Sequence, residues 1–97
     1  MLRETTARDM STTVLGQHLE APVLVAPVGA AGLVRRHSDV AIGEAAAKVG
    51  VPYILSSQGS DPMEEVAAAM GAGQRWFQLY WSNEPTIVES FVRRAEA

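Results

Sequence analysis

The sequence contains no cysteine among its 97 residues. That excludes a disulfide scaffold, a thiolate zinc site and a cysteine nucleophile, and it suits a reducing compartment. Basic residues are few. Eight Lys and Arg stand against eleven Asp and Glu, a net charge of −3, and no basic stripe interrupts the pattern, so a nucleic-acid partner is not expected. No run approaches the ~20 apolar residues of a membrane span. The longest candidate, Ala21 to Leu33, is broken by Pro22, Pro27, Gly29 and Gly32. Arg3, Glu4, Arg8 and Asp9 stand where a secretory leader needs an apolar core. A soluble cytoplasmic protein without a membrane partner is the expectation. Neither of the usual glycine-rich phosphate loops occurs. What the chain does have is 47% hydrophobic residues with 20% charged ones, too apolar for a disordered tail and short enough for one domain at most.

Along the chain, apolar runs alternate with helical periodicity. Thr12 to Leu15 is β-branched, ends at Gly16 and predicts a short strand. Pro22 to Pro27 is a continuous apolar run of the kind buried on both faces of a parallel sheet. A small-residue loop, Val28 to Leu33, follows. Ser38 offers an N-cap, Ile42, Ala45, Ala46 and Val49 share one helical face, and Gly50 is placed to stop that helix. Pro52 to Ser56 predicts another strand. Asp61-Pro62-Met63-Glu64 opens a second helix, with Asp61 as cap and Met63, Val66, Ala67 and Met70 on one face, ending at Gly71. Arg75 to Trp81 predicts an aromatic strand. Pro85 to Ala97 predicts a third helix, with Ile87, Val88, Phe91, Val92 and Ala95 on one side. From Val23 on the order is β-α-β-α-β-α, which implies a parallel sheet. Three such units close nothing, since an α/β barrel needs eight. The chain is therefore expected to be part of a larger α/β protein.

Candidate chemistry is sparse. His18, in the polar stretch Gly16 to Glu20, reads as a solvent-facing turn residue, and His37 reads as a helix entrance. Lys48 belongs on an exposed helix face. Glu64 and Glu65 read as charges favoured by the helix dipole. His37-Ser38-Asp39 is contiguous in sequence, whereas a catalytic triad is a spatial constellation, so it is set aside. The carboxyl ends of the strands remain, and these form the site in α/β barrels and open α/β sheets. There the chain places Ala26 to Gly29, whose small residues admit a flat ligand to the backbone. It also places the hydroxyls of Ser56 and Ser57, and the pair Gln78 and Tyr80, on one face by the two-residue period. On spacing alone, a ligand site and a set of structurally satisfied polar groups are equally open readings.

Five ordered stretches resemble a known family. They are Ala26-Pro27-Val28-Gly29, Leu55-Ser56-Ser57, Asp61 to Ala67, Trp76-Phe77-Gln78-Leu79-Tyr80 and Val92 to Ala97. The family is that of the FMN-dependent 2-hydroxy-acid dehydrogenases and oxidases, which includes glycolate oxidase, lactate oxidase and lactate 2-monooxygenase. Ala26 to Leu33 and Phe77 to Trp81 look most similar to its bacterial lactate monooxygenase-like branch. The resemblance implies part of a (β/α)8 TIM barrel: residues 1–97 would form its N-terminal portion, a short hairpin followed by the first three β/α units. It implies FMN as cofactor and a small, lactate-like 2-hydroxy acid as substrate, oxidised to the 2-keto acid by a homo-oligomeric full-length enzyme. Residue by residue, Pro27, Val28 and Gly29 match the backbone lying against the flavin ring. Ser56 matches a hydroxyl at the flavin's polar edge, Gln78 the amide at the pyrimidine end of the ring, and Tyr80 the substrate-contacting tyrosine. Gln58 stands where some relatives carry a tryptophan.

The family's base histidine, flavin-side lysine, carboxylate-binding arginine and phosphate site match no residue here. The segment is thus expected to form one wall of the flavin pocket and to be inactive alone. Two other readings remain on the residues: a different FMN-barrel enzyme, and a non-catalytic α/β module that self-associates through an open sheet edge.

Overall fold

Leu15 and Gly16 both take positive φ, 47° and 78°, as the central residues of a tight two-residue hairpin do. They join β1 (Thr12–Val14) to β2 (Gln17–Leu19) in an antiparallel pair with Thr12 opposite Leu19. Leu15 thus belongs to the turn and not to the strand expected for it. His18 lies on β2 and not in a turn, with its side chain exposed as expected. The computed structural model describes residues 8–97. Arg3 and Glu4, cited against a leader, lie outside the described residues.

The second sheet pairs β3 (Tyr53–Ser56) with β4 (Arg75–Gln78) in parallel, with Ile54 opposite Trp76 and Ser56 opposite Gln78. The apolar run expected as a full strand before them makes only a one-residue parallel bridge, Val25 to Tyr53. Two hydrogen bonds hold it: Val25 N donates to Pro52 O at 2.9 Å and Ile54 N to Val25 O at 3.1 Å. Pro22 and Pro27 have no N–H to donate and restrict the residues before them. The far edge of this run also has no neighbouring strand among the described residues. β4 is likewise shorter than expected. Beyond Gln78, the Tyr80 N–H turns to a side chain on the β3 loop, Ser57 Oγ.

The crossovers are α1 (Ser38–Val49) and α2 (Met63–Met70), and α3 (Pro85–Glu96) follows β4. The β-α-β-α-β-α order expected from the sequence is present, with its first strand reduced to a bridge. No helix of the described residues is long and apolar enough to cross a membrane. Gly50 and Gly71 end α1 and α2 with φ of 71° and 56°, a conformation glycine adopts without strain. The hairpin is fastened near the amino end of β4: Gln74 Nε2 donates to His18 O at 2.9 Å and Trp76 Nε1 to Gln17 Oε1 at 2.7 Å.

Ala46, Tyr53, Leu55, Val66 and Met70 form the buried core, with Val40, Ile42, Met63 and Phe77 packed at its margin. The buried face of α1 departs from the periodic one. Gly43 and Ala46 are buried, whereas Ala45 and Val49 are exposed. The reason is close helix packing. A Cβ at Gly43 would lie 3.0 Å from Met70 Cγ and 3.1 Å from Val66 Cγ1, so α1 turns its smallest residue toward α2. Neither expected cap behaves as its position suggests. Ser38 is the first residue of α1, and its Oγ is buried without a partner among the described residues. Asp61 does not cap α2; its Oδ2 accepts from Val40 N, in the first turn of α1, at 3.1 Å.

α3 rests on the sheet through Phe91, whose ring lies 5.5 Å from that of Phe77. Ile87 stays exposed. Arg94 joins α3 to α2, its Nε and Nη2 donating to Glu64 Oε1 and Oε2 at 2.6 and 2.8 Å. Glu64 is thus an interhelical partner as well as a first-turn acid. The pair caps a cavity of about 280 Å³ between α2, α3 and β4, lined by Leu55, Val66, Met70 and Phe77.

The Arg94 hydrogen bonds hold the Glu64 carboxyl down to about 2, from an ordinary 4.5. A depressed folded value means that the pair's stabilisation is present above about pH 4.5 and is lost as pH falls through about 2. Both side chains are exposed, so the effect is modest and weakened by salt. Thermal melts of wild type and Glu64→Gln should differ most above about pH 4.5 and converge toward about pH 2. A gap independent of pH would assign no stability to the ion pair.

Candidate functional site

In a parallel pair, residues opposite one another project to the same side of the sheet. Leu55 and Phe77, opposite in register, belong to the helix-side core. Ser56 and Gln78, one residue further on and also opposite, therefore project to the other side, at the carboxyl ends of β3 and β4. Ser56 Oγ donates to Gln78 Oε1 at 3.2 Å and accepts from Gln58 N at 3.0 Å. Ser56 is buried at 3% exposure. The bond from Ser56 occupies the amide oxygen of Gln78. Its Nε2 has no acceptor among the described residues, which leaves two N–H donors at the strand end.

The loop after β3 is tied to both of its neighbours. Toward β4, Ser57 N and Ser57 Oγ both donate to Gln78 O, at 3.0 and 2.7 Å, and Ser57 Oγ accepts from Tyr80 N at 2.9 Å. Toward the first bridge, Ala30 N donates to Gln58 O at 2.8 Å and Gly32 N to Ser60 Oγ at 2.9 Å. Contact is close enough on this side that a Cβ at Gly29 would lie 3.0 Å from Gln58 Cβ. The backbone of Val28 to Ala30 and the loop 56–60 therefore form one continuous polar wall. Val28 is half exposed at 50% and Tyr80 at 49%.

Of the residues singled out from the sequence, Ser56 and Gln78 are in direct contact. Gly29 packs on the same loop. Tyr80 is joined through its backbone and Ser57, with its phenol free of protein partners among the described residues. Pro27 and Val28 precede Gly29 on the segment that runs beside β3. Both serines were expected at a strand end, with a role implied for Ser56 alone. Ser57, not Ser56, connects β3 to the Tyr80 backbone. His37, Ser38 and Asp39 are not bonded to one another: His37 Nδ1 lies 3.3 Å from Asp61 Oδ1, whereas Asp39 contacts Tyr53, Ser60 and Asp61. Lys48 pairs with Glu44 on the exposed face of α1. Asp39, for which the sequence suggests no role, is fully buried. Its signal was its place in the first turn of a helix, which it shares with most first-turn acids.

The model of the FMN-dependent dehydrogenase family matches residues 1–97, the whole chain. The chain belongs to that family. It is 38% identical over 96 residues to an FMN-dependent alpha-hydroxy acid dehydrogenase of Penicillium citrinum, covering 99% of this chain and 24% of that protein. With glycolate oxidase 1 of Zea mays it shares 42% identity over 88 residues, 91% of this chain and 24% of the relative. L-lactate oxidase of Lysinibacillus sphaericus is 38% identical over 87 residues, 90% of this chain and 22% of the relative. The chain thus spans about a quarter of the length of the curated relatives it matches. Among solved structures, mandelate oxidase with benzoyl-formic acid superposes with a TM-score of 0.87 at 36% identity, covering 99% of this chain and 28% of that one. A tyrosine variant of mandelate oxidase carrying a monooxide FMN adduct gives the same TM-score at 35% identity, with 30% of its chain covered. The fold is accordingly part of a (β/α)8 barrel, and FMN is the family's cofactor.

Ser57→Ala removes the hydroxyl that joins Gln78 O to Tyr80 N. It should destabilise the protein by about 1 kcal/mol and raise amide exchange at Tyr80 while leaving exchange in α1 unchanged. Unchanged protection at Tyr80 would mean that β4 alone positions that residue.

Proposed function

We propose that this chain is part of an FMN-dependent oxidoreductase that converts small L-2-hydroxy acids, lactate-like in size, to 2-keto acids. In this reading residues 1–97 are the N-terminal portion of its barrel and form one wall of the flavin site. The observation that carries the proposal is the Ser56–Gln78 contact at the carboxyl ends of two parallel strands, which orients a buried hydroxyl and leaves an amide donor free. In α/β barrels that end holds the site.

The donor set fits a flavin. A ring edge that alternates acceptors and donors is met by the free Nε2 of Gln78 and the remaining acceptor capacity of Ser56 Oγ. Pro27, Val28 and Gly29 offer backbone and small side chains to a planar ring, pressed against the 56–60 loop. When bound, FMN supplies the two-electron acceptor that no side chain provides. The Tyr80 phenol, on a backbone held by Ser57, presents a hydrogen-bond donor to a substrate oxygen. A base at this site is not expected from this segment: His18 is on the hairpin, and His37 faces Asp61. A cytoplasmic location and a homo-oligomeric full-length enzyme belong to the same reading.

The test uses the full-length enzyme that this reading implies, because residues 1–97 alone are expected to be inactive. Wild type should take up FMN, seen as quenched flavin fluorescence, and L-lactate or a close analogue should bleach the flavin absorbance. Gln78→Leu should weaken FMN binding about tenfold. Tyr80→Phe should leave FMN binding unchanged and lower kcat/KM for the hydroxy acid about tenfold or more. A wild type that takes up no flavin, or flavin that no 2-hydroxy acid reduces, overturns the proposal.

A further inference from the structure

The carboxylate of Asp39 is fully buried and has three donors. Tyr53 OH donates to Oδ1 at 3.1 Å, and the backbone amides of Ser60 and Asp61 donate to Oδ2 at 2.6 and 3.1 Å. The contact is reciprocal, because the Asp61 carboxylate in turn accepts from Val40 N beside Asp39. The first turn of α1 and the end of the 56–61 loop thus hold each other by charge-assisted bonds, which are about twice as strong as neutral ones. The loop turns tightly at Gly59. A Cβ at Gly59 would lie 3.0 Å from Leu55 Cδ1 and Ser56 O, and 3.6 Å from Asp39 Oδ2. Core packing alone does not need this arrangement, since an apolar side chain at position 39 would fill the same space without desolvating a charge. What the carboxylate adds is a defined position for two backbone N–H groups at the far end of the loop whose near end carries Ser56 and Gln58.

We infer that Asp39 is a positioning residue for the flavin-facing loop: it fixes Ser60 and Asp61, so that Ser56, Gln58 and the apposed Gly29 backbone are held in the shape that receives the ring. The inference rests on the reading given under Proposed function. Asp39 itself is buried beneath the loop and acts through the Ser60 and Asp61 amides. Ser57 ties the near end of the loop to β4, through Gln78 O and Tyr80 N, while Ala30 N and Gly32 N donate to Gln58 O and Ser60 Oγ further along. The last two lead to the segment after Gly29, so loosening the Asp39 anchor shifts the 58–60 end of the loop together with that segment.

The experiment compares FMN affinity, by fluorescence titration of the full-length enzyme that this reading implies, among wild type, Asp39→Asn and Tyr53→Phe. Asp39→Asn removes the charge that the Ser60 and Asp61 amides need. It should raise the FMN Kd about tenfold or more and raise amide exchange at Gln58 and Ser60. Tyr53→Phe removes a bond to the same carboxylate but spares both loop amides, and should raise Kd less than about threefold. Should Asp39→Asn fail to fold, the double variant Asp39→Leu/Tyr53→Phe replaces both buried partners by apolar groups of similar shape, and it should show the same loss of flavin affinity. Equal Kd values for Asp39→Asn and Tyr53→Phe, or wild-type affinity in the double variant, would make Asp39 a stability group and overturn the inference. A wild type that takes up no FMN overturns the functional reading on which it rests.

Discussion

A buried charge has to be answered by donors from its own surroundings, and in this chain Asp39 is answered by a loop. Its three bonds, and the bond that Val40 N donates to the Asp61 carboxylate, bring together the start of α1, the core face of β3 and the connection into α2. Burial, and after it the Asp39 carboxylate, push the Tyr53 phenol above its ordinary range, so its hydroxyl stays a donor. This junction adjoins the core at Tyr53 and the loop that follows Ser56. Two anions beside one helix start are tolerable because the N-terminus of α1 carries partial positive charge and its free N–H groups point outward.

From that anchor the site follows by register. Parallel pairing puts Ser56 opposite Gln78, and the same pairing puts Leu55 opposite Phe77 on the core side. The polar face and the apolar face are thus one decision, because a slip of one residue would exchange them. The serine hydroxyls then divide the work. Ser56 orients the Gln78 amide, and Ser57 turns the chain after β4 so that Tyr80 leaves the sheet with a fixed backbone.

The apolar surface left over is as informative as the core. Ile87 on α3 and Leu33 and Val34 after the first loop are exposed. The chain also spans about a quarter of its relatives' length. A β/α unit in a barrel is flanked by others on both sides, so exposed apolar positions on the outer units agree with the partial-barrel fold. The small cavity under α3, capped by Glu64 and Arg94, lies on the helix side of the sheet, away from Ser56 and Gln78.

Much of the architecture was legible in the residues. Helix periodicity, the glycines at 50 and 71 and the β-α alternation predicted three helices and three parallel strands, and the helices and two of the strands form, because local propensity and side-chain period act over a few residues. The strand-end residues Ser56 and Gln78 were legible for the same reason, and their family resemblance gave them candidate roles. What the sequence could not decide depended on groups brought from far along the chain. The Pro22–Pro27 run shrank to a bridge at Val25 because its two prolines donate no hydrogen bond and restrict the residues before them, and its outer edge pairs with no strand among the described residues. The capping aspartate before α2 serves α1 instead, 21 residues away. The buried face of α1 turned to Gly43, whose missing side chain counts for nothing in a hydrophobic period yet admits Met70 at close range. Asp39, silent in the sequence, became the centre of the molecule because burial and three donors are properties of the folded chain. Patterns of one turn or two residues are written locally; the partner of a buried charge is chosen only when the elements meet.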